Sequence, residues 1–77
     1  MRYDKRLLRH FRATIGQNLH RLRVFRKITL ERLSRVSGLP VFLLDQFELG
    51  KNTIGTEDLL RIACALGVNP AELMKEG

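Results

Sequence analysis

Residues 29–50 read TLERLSRVSGLPVFLLDQFELG, and this stretch is punctuated as two short helices around one tight turn. Thr29 is a residue type that caps a helix start, and Ile28 before it is set to staple against Leu33 at the fourth helical position. Gly38 supplies the left-handed residue that ends such a helix, which predicts a helix over Leu30–Ser37. Only Gly38, Leu39 and Pro40 separate it from a second apolar-periodic run, Val41–Leu49, itself ended by Gly50. Two short helices joined by a three-residue turn containing Gly have the layout of a helix-turn-helix.

Upstream, Tyr3, Leu7, Leu8 and Phe11 gather on one helical face of the segment Tyr3–Ala13, while Arg2, Lys5, Arg6, Arg9 and Arg12 fill the rest. Thr14 followed by Gln17 fits a capping box, which predicts a new helix there with Ile15, Leu19 and Leu22 facing inward. The expected organisation is therefore a basic N-terminal extension, helix or arm, over residues 1–13 and a helix-turn-helix domain over 14–77. Downstream, Thr56 opens a helix with Glu57 and Asp58 in its first turn, where the dipole favours negative charge. Leu59, Leu60, Ile62, Ala63 and Leu66 are its predicted buried face, and Gly67 closes it. Asn69, Pro70 and Glu72 match an N-cap, an N1 proline and an N3 acid, so a last short helix carries Leu73 and Met74. No alternating Val/Ile/Thr run bounded by hairpin-turn residues occurs, and the fold class is all-α.

At 77 residues the chain has room for one small core, and 44% hydrophobic with 29% charged residues is the balance of a folded domain. A single cysteine, Cys64, excludes an intramolecular disulfide and makes a reducing compartment, the cytoplasm, the expected location. The net charge of +6 is unevenly spread. Residues 1–35 hold eleven Lys/Arg against Asp4 and Glu31, whereas residues 36–77 hold three against six acids. Such a basic half suits a polyanion. The longest nearly unbroken apolar stretch, Leu39–Leu44, is far too short for a membrane span.

Ordered along the chain, Arg23, Leu33 with Gly38, Glu48-Leu49-Gly50-Lys51, and Leu60-x-Ile62-Ala63-x-Ala65-Leu66-Gly67-Val68 form a recognisable series. From Ile15 to Met74 the chain resembles the Cro/cI-type (XRE), lambda-repressor-like helix-turn-helix of phage repressors and bacterial transcription regulators. The resemblance implies five helices, the third in the DNA major groove, and a homodimer on a palindromic operator. It further implies a partly buried ion pair between Arg23 and Glu48, and DNA-backbone contacts from Thr29, Lys51, Asn52 and Thr53. Leu73 and Met74 become candidate dimer-interface residues. The family commonly has polar residues at the positions of Val41, Phe42 and Leu30, and all three are apolar here.

On a helix starting at Val41, the residues Leu43, Leu44 and Phe47 gather on one side and leave Val41, Phe42, Asp45, Gln46 and Leu49 on the other. Three readings of that outer side compete. Val41 and Phe42 could meet thymine methyls while Gln46 bonds adenine and Asp45 accepts from cytosine. Alternatively Leu30, Val41, Phe42 and Leu49 could dock a protein partner with Phe42 as anchor. Or the Tyr3, Leu7, Leu8 and Phe11 stripe could fold back over them and enlarge the core. The basic residues Arg2, Lys5, Arg6, Arg9 and Arg12 would add phosphate contacts in the first case, or form a solvated face otherwise.

Catalysis has little support. His10 and His20 lie in different segments, no His/Cys/carboxylate spacing suits a metal, and no Gly-rich phosphate loop occurs. Cys64 is expected as a small core residue, and Glu57 and Asp58 as helix-start charges. Membrane association through the amphipathic N-terminus ranks below nucleic-acid binding because that stripe is short. The expectation is a DNA-binding transcription regulator without cofactor, a dimeric repressor, with a protein-docking module as the alternative.

Overall fold

The computed structural model describes residues 4–76. Its elements are α1 (Lys5–Phe25), α2 (Leu30–Ser37), α3 (Val41–Glu48), α4 (Thr56–Leu66) and α5 (Pro70–Met74). The first helix differs from expectation, because no break occurs at Thr14 and residues 5–13 of the predicted extension belong to the same helix. The helix instead starts at Asp4, whose Oδ1 accepts from the Arg6 amide at 2.9 Å. Arg2 and Tyr3, part of the predicted arm and stripe, lie outside the described residues. Twenty-one residues make α1 about 30 Å long, and its C-terminal half carries the buried Ile15, Leu19 and Leu22. It ends without glycine: Lys27 adopts φ 56°, with the Ile28 amide returning to the Arg23 carbonyl and the Lys27 amide to that of Val24.

The next segment is as expected. The Thr29 hydroxyl accepts from the Arg32 amide at 3.1 Å, and Gly38 ends α2 at φ 77°. Ser37 Oγ accepts from the Leu39 amide at 3.2 Å inside the turn, and Leu39 is itself buried, so the turn is anchored to the core rather than looped out. Gly50 at φ 70° closes α3, with the Lys51 amide bonded to the Gln46 carbonyl and the Gly50 amide to that of Phe47. Gly67 closes α4 in the same way, and Asn69 Oδ1 caps α5 through the Ala71 amide.

One core joins all five helices: Leu19, Leu22, Leu33, Leu39, Leu44, Phe47, Ile62, Ala63, Leu66 and Leu73. Helix α1 packs on α3 and α5, while α2 packs on α3 and α4. Each fully buried Leu, Ile or Phe contributes about 1.5–3 kcal/mol by leaving water.

Several expected placements are corrected by this packing. Leu60 is half-exposed and Cys64 exposed, because α4 turns Ile62, Ala63 and Leu66 inward. Leu60 and Cys64, four residues apart, instead share an open groove with Val36 of α2. Leu73 is wholly buried in its own chain and has no surface for a partner, so of the two dimer candidates only Met74 remains exposed. Among the described residues the N-terminal stripe does not fold back over α3. Leu7 and Phe11 are exposed on α1, and Phe42 and Leu49 are exposed at α3.

Candidate nucleic-acid interface

The outer face of α3 is open. Leu44 and Phe47 point into the core, Leu43 is half-buried against it, and Phe42 is 72% and Leu49 58% exposed. Val41, Asp45 and Gln46 are half-buried along the same outer side. The face is thus apolar at its two ends and polar between them. Leu30 does not join this face as an exposed residue. It packs against the core and lines a recess with Gln17, His20, Arg23, Asp45, Glu48 and Leu49.

Flanking α3 are groups that can donate hydrogen bonds. Thr29 is exposed at the start of α2, where its hydroxyl oxygen accepts the capping bond and its own O–H remains a donor. Lys51 and Asn52 are exposed just past α3, and the Lys51 backbone is fixed by the bond that terminates the helix. Thr53 is engaged differently, since its Oγ1 accepts from Arg12 Nε at 2.7 Å and ties the following loop to α1. Of the other basic candidates, Lys5, Arg6 and Arg9 are exposed, with Arg6 lying 3.6 Å from Asp4.

A partly buried hydrogen-bonded cluster ties α3 to α1. Arg23 Nε donates to Glu48 Oε2 at 2.5 Å and Nη2 to Oε1 at 3.2 Å, the two-pronged geometry that a guanidinium makes with a carboxylate. Nη1 donates to the Ile28 carbonyl at 2.7 Å, so the same side chain also holds the α1–α2 turn. Their side chains are only 14% and 8% exposed. His20 Nδ1 donates to Glu48 Oε1 at 2.8 Å and completes the cluster. Burial opposes ionisation of Glu48, but the hydrogen bonds from Arg23 and His20 outweigh it and lower the carboxyl below its ordinary pKa.

Two residues of this arrangement escaped the sequence reading. His20 sits one turn before Arg23, and only the location of Glu48 in space gives it a role. Gly16 is the other: a Cβ there would stand 2.4 Å from the Phe47 carbonyl oxygen and 2.8 Å from that of Glu48. The expected helix start at Thr14 hid the signal by putting Gly16 in a first turn; within the continuous α1 it is a mid-helix glycine, which usually has a packing reason.

A helix capped by Thr29 and a second helix entered through Gly38, Leu39 and Pro40, the second exposing one face between hydrogen-bond donors, constitute a helix-turn-helix DNA-binding unit. The chain belongs to the Cro/C1-type HTH DNA-binding domain family, whose model matches residues 18–75. Comparison with curated proteins gives no match. Among solved structures, the chain is similar to the restriction-modification controller protein C.AhdI from Aeromonas hydrophila. The two share 31% identity at a TM-score of 0.78, over 80% of this chain and 94% of that one. The clp gene regulator ClgR from C. glutamicum is 27% identical at a TM-score of 0.78, over 82% of each chain. An HTH_3 family transcriptional regulator from Vibrio cholerae, 24% identical with a TM-score of 0.83, shares the fold over 86% of this chain and 37% of its own. The protein is accordingly a helical DNA-binding transcription regulator. Among the described residues no helix is long and apolar enough to cross a membrane.

Proposed function

We propose that this protein regulates transcription by binding duplex DNA sequence-specifically as a homodimer, with α3 in the major groove. The observation that carries this reading is the open outer face of α3, with Phe42 72% exposed, between the capped start of α2 and Lys51. Val41 and Phe42 meet thymine methyls, Gln46 bonds adenine, and Asp45 accepts from the cytosine amino group. Thr29, Lys51 and Asn52 hold phosphates and set the register without reading sequence. Thr53 joins them: its Oγ1 accepts from Arg12, which fixes the loop to α1, and its own O–H remains a donor for a phosphate.

A single α3 reaches only a few base pairs, so two copies on half-sites about 34 Å apart are needed for specificity. That argument supports a palindromic operator, and Met74 is the large apolar residue left exposed on α5 for the dimer contact. Occlusion of polymerase at such an operator makes the protein a repressor acting in the cytoplasm. The relatives described as a controller protein and a gene regulator agree with a regulatory role.

Selection from random duplexes by the purified chain at two salt concentrations tests the reading. It is expected to return a two-fold symmetric site, and sedimentation of the complex is expected to give two protomers. Phe42→Ala is expected to leave the melting temperature nearly unchanged, since its ring is in solvent, while weakening preference at a thymine position by about 1 kcal/mol or more. Lys51→Ala is expected to weaken all sequences alike and to reduce the slope of log affinity against log salt by about 1. A second reading rests on the same exposed Phe42 and Leu49, which also suit a protein partner. Failure to bind any duplex, together with protein association abolished by Phe42→Ala, would establish it instead.

A further inference from the structure

Six residues follow one another along a single face of α1 at three- and four-residue steps: Arg23, His20, Gly16, Arg12, Arg9 and Lys5. The C-terminal three meet α3, through the Glu48 cluster and the close approach at Gly16. Arg12 meets the loop after α3 at Thr53. Beyond Arg12 the same face continues about 10 Å past that loop as far as Lys5. Arg9 and Lys5 are exposed there, and with Leu8 and Arg12 they line one shallow recess. All three cations precede residue 18, where the match to the family model starts. No acidic residue occurs anywhere in α1.

We infer that Lys5, Arg9 and Arg12 form a rigid basic track that contacts the phosphate backbone of duplex DNA just outside the half-site read by α3. The inference rests on the DNA-binding function proposed above and extends its footprint. Continuity carries it, because the helix face that fixes α3 also bears the track. The Arg12–Thr53 bond holds the track beside the loop that begins with Lys51. Charge complementarity sets the occupant: a helical ridge of cations without acids suits a regularly spaced polyanion. The opposite end of the helix's amphipathic character, Leu7 and Phe11, lies off this face and takes no part.

The test compares the full chain with the double variant Lys5→Gln/Arg9→Gln, and with Lys75→Gln, an exposed cation near the C-terminus, as a charge control off the track. Binding is measured against salt on two duplexes bearing the selected site, one trimmed at its ends and one with a further helical turn of flanking sequence on each side. On the long duplex the double variant is expected to lose nearly one unit of salt slope per residue and protomer, about 0.9 for each phosphate contact. On the trimmed duplex it is expected to match the unaltered chain, and Lys75→Gln is expected to do so on both. An unchanged slope on the long duplex would overturn the track, as would equal losses on both duplexes or from Lys75→Gln. Retention on anionic phospholipid vesicles abolished by the double variant, with DNA binding intact, would assign the cations to a membrane surface instead. If the unaltered chain binds no duplex at all, the proposed function fails and the track fails with it; binding with an unchanged slope removes the track alone.

Discussion

Gly16→Ala is expected to lower the melting temperature by about 10 °C or more, although alanine is the better helix former by about 1 kcal/mol. Propensity alone therefore gives the opposite sign. The added methyl would stand 2.4 Å from the Phe47 carbonyl oxygen and 2.8 Å from that of Glu48. Both obstacles are backbone, so no side-chain rotation relieves the overlap, and α1 must move off α3. Overpacking of this kind costs about 1–3 kcal/mol, and the absence of a flexible neighbour puts Gly16 at the upper end. Separation of α1 from α3 would also lengthen the bonds between Arg23 and Glu48. Thermal unfolding followed by circular dichroism measures the result, and a melting temperature equal to or above that of the unaltered chain would contradict the contact.

Arg23→Ala is expected to cost about 3 kcal/mol, a large part of the ~4–12 kcal/mol available to a domain of this size. The loss has two parts. Glu48 is left as a carboxylate with an 8% exposed side chain and only His20 beside it, and the Ile28 carbonyl loses its donor. Adding Glu48→Gln to Arg23→Ala removes the stranded charge and is expected to recover part of the stability. If that double variant is no more stable than Arg23→Ala alone, the loss comes from packing rather than from the charge.

Acid provides an independent check of the same cluster. The folded state holds the Glu48 carboxyl below its ordinary value of 4.5, since the bonds from Arg23 and His20 exceed the opposing effect of burial. Its contribution to stability is therefore complete above about pH 4.5 and is lost as pH falls from there through the lowered folded value. In Arg23→Ala the lowering by the guanidinium is gone, the carboxyl rises relative to the unaltered chain, and acidification is expected to narrow the gap between variant and unaltered chain. Melting temperatures at pH 7 and pH 4 measure this, and a gap that widens in acid would refute the ion pair's role.

The site was readable in uneven parts. Chain punctuation at Thr29, Gly38, Gly50, Gly67 and Asn69 located helix ends because each acts through bonds to residues within a few positions. The family resemblance supplied the Arg23–Glu48 pair, which periodicity could not, since 25 residues separate the partners. Thr14 misled for the converse reason. Its capping signal is local, while the helix continues through it from a better-placed cap at Asp4. Leu73 and Cys64 exchanged expected positions, one entering the core and the other leaving it. The phase of a short helix against its neighbours decides which apolar residue is covered, and composition does not contain that phase.

What the sequence alone determined is the helical class, the turn between α2 and α3, and the basic first half of the chain. These follow from interactions along the chain and from summed charge, which need no knowledge of packing. Tertiary structure decided that α1 is one unbroken helix, that its Gly16–Arg23 stretch is seated on α3, and that Phe42 and Leu49 stay uncovered. Those outcomes depend on how closely two backbones approach at Gly16 and on where the Glu48 carboxylate finds its hydrogen-bond donors, distances set only once the helices meet.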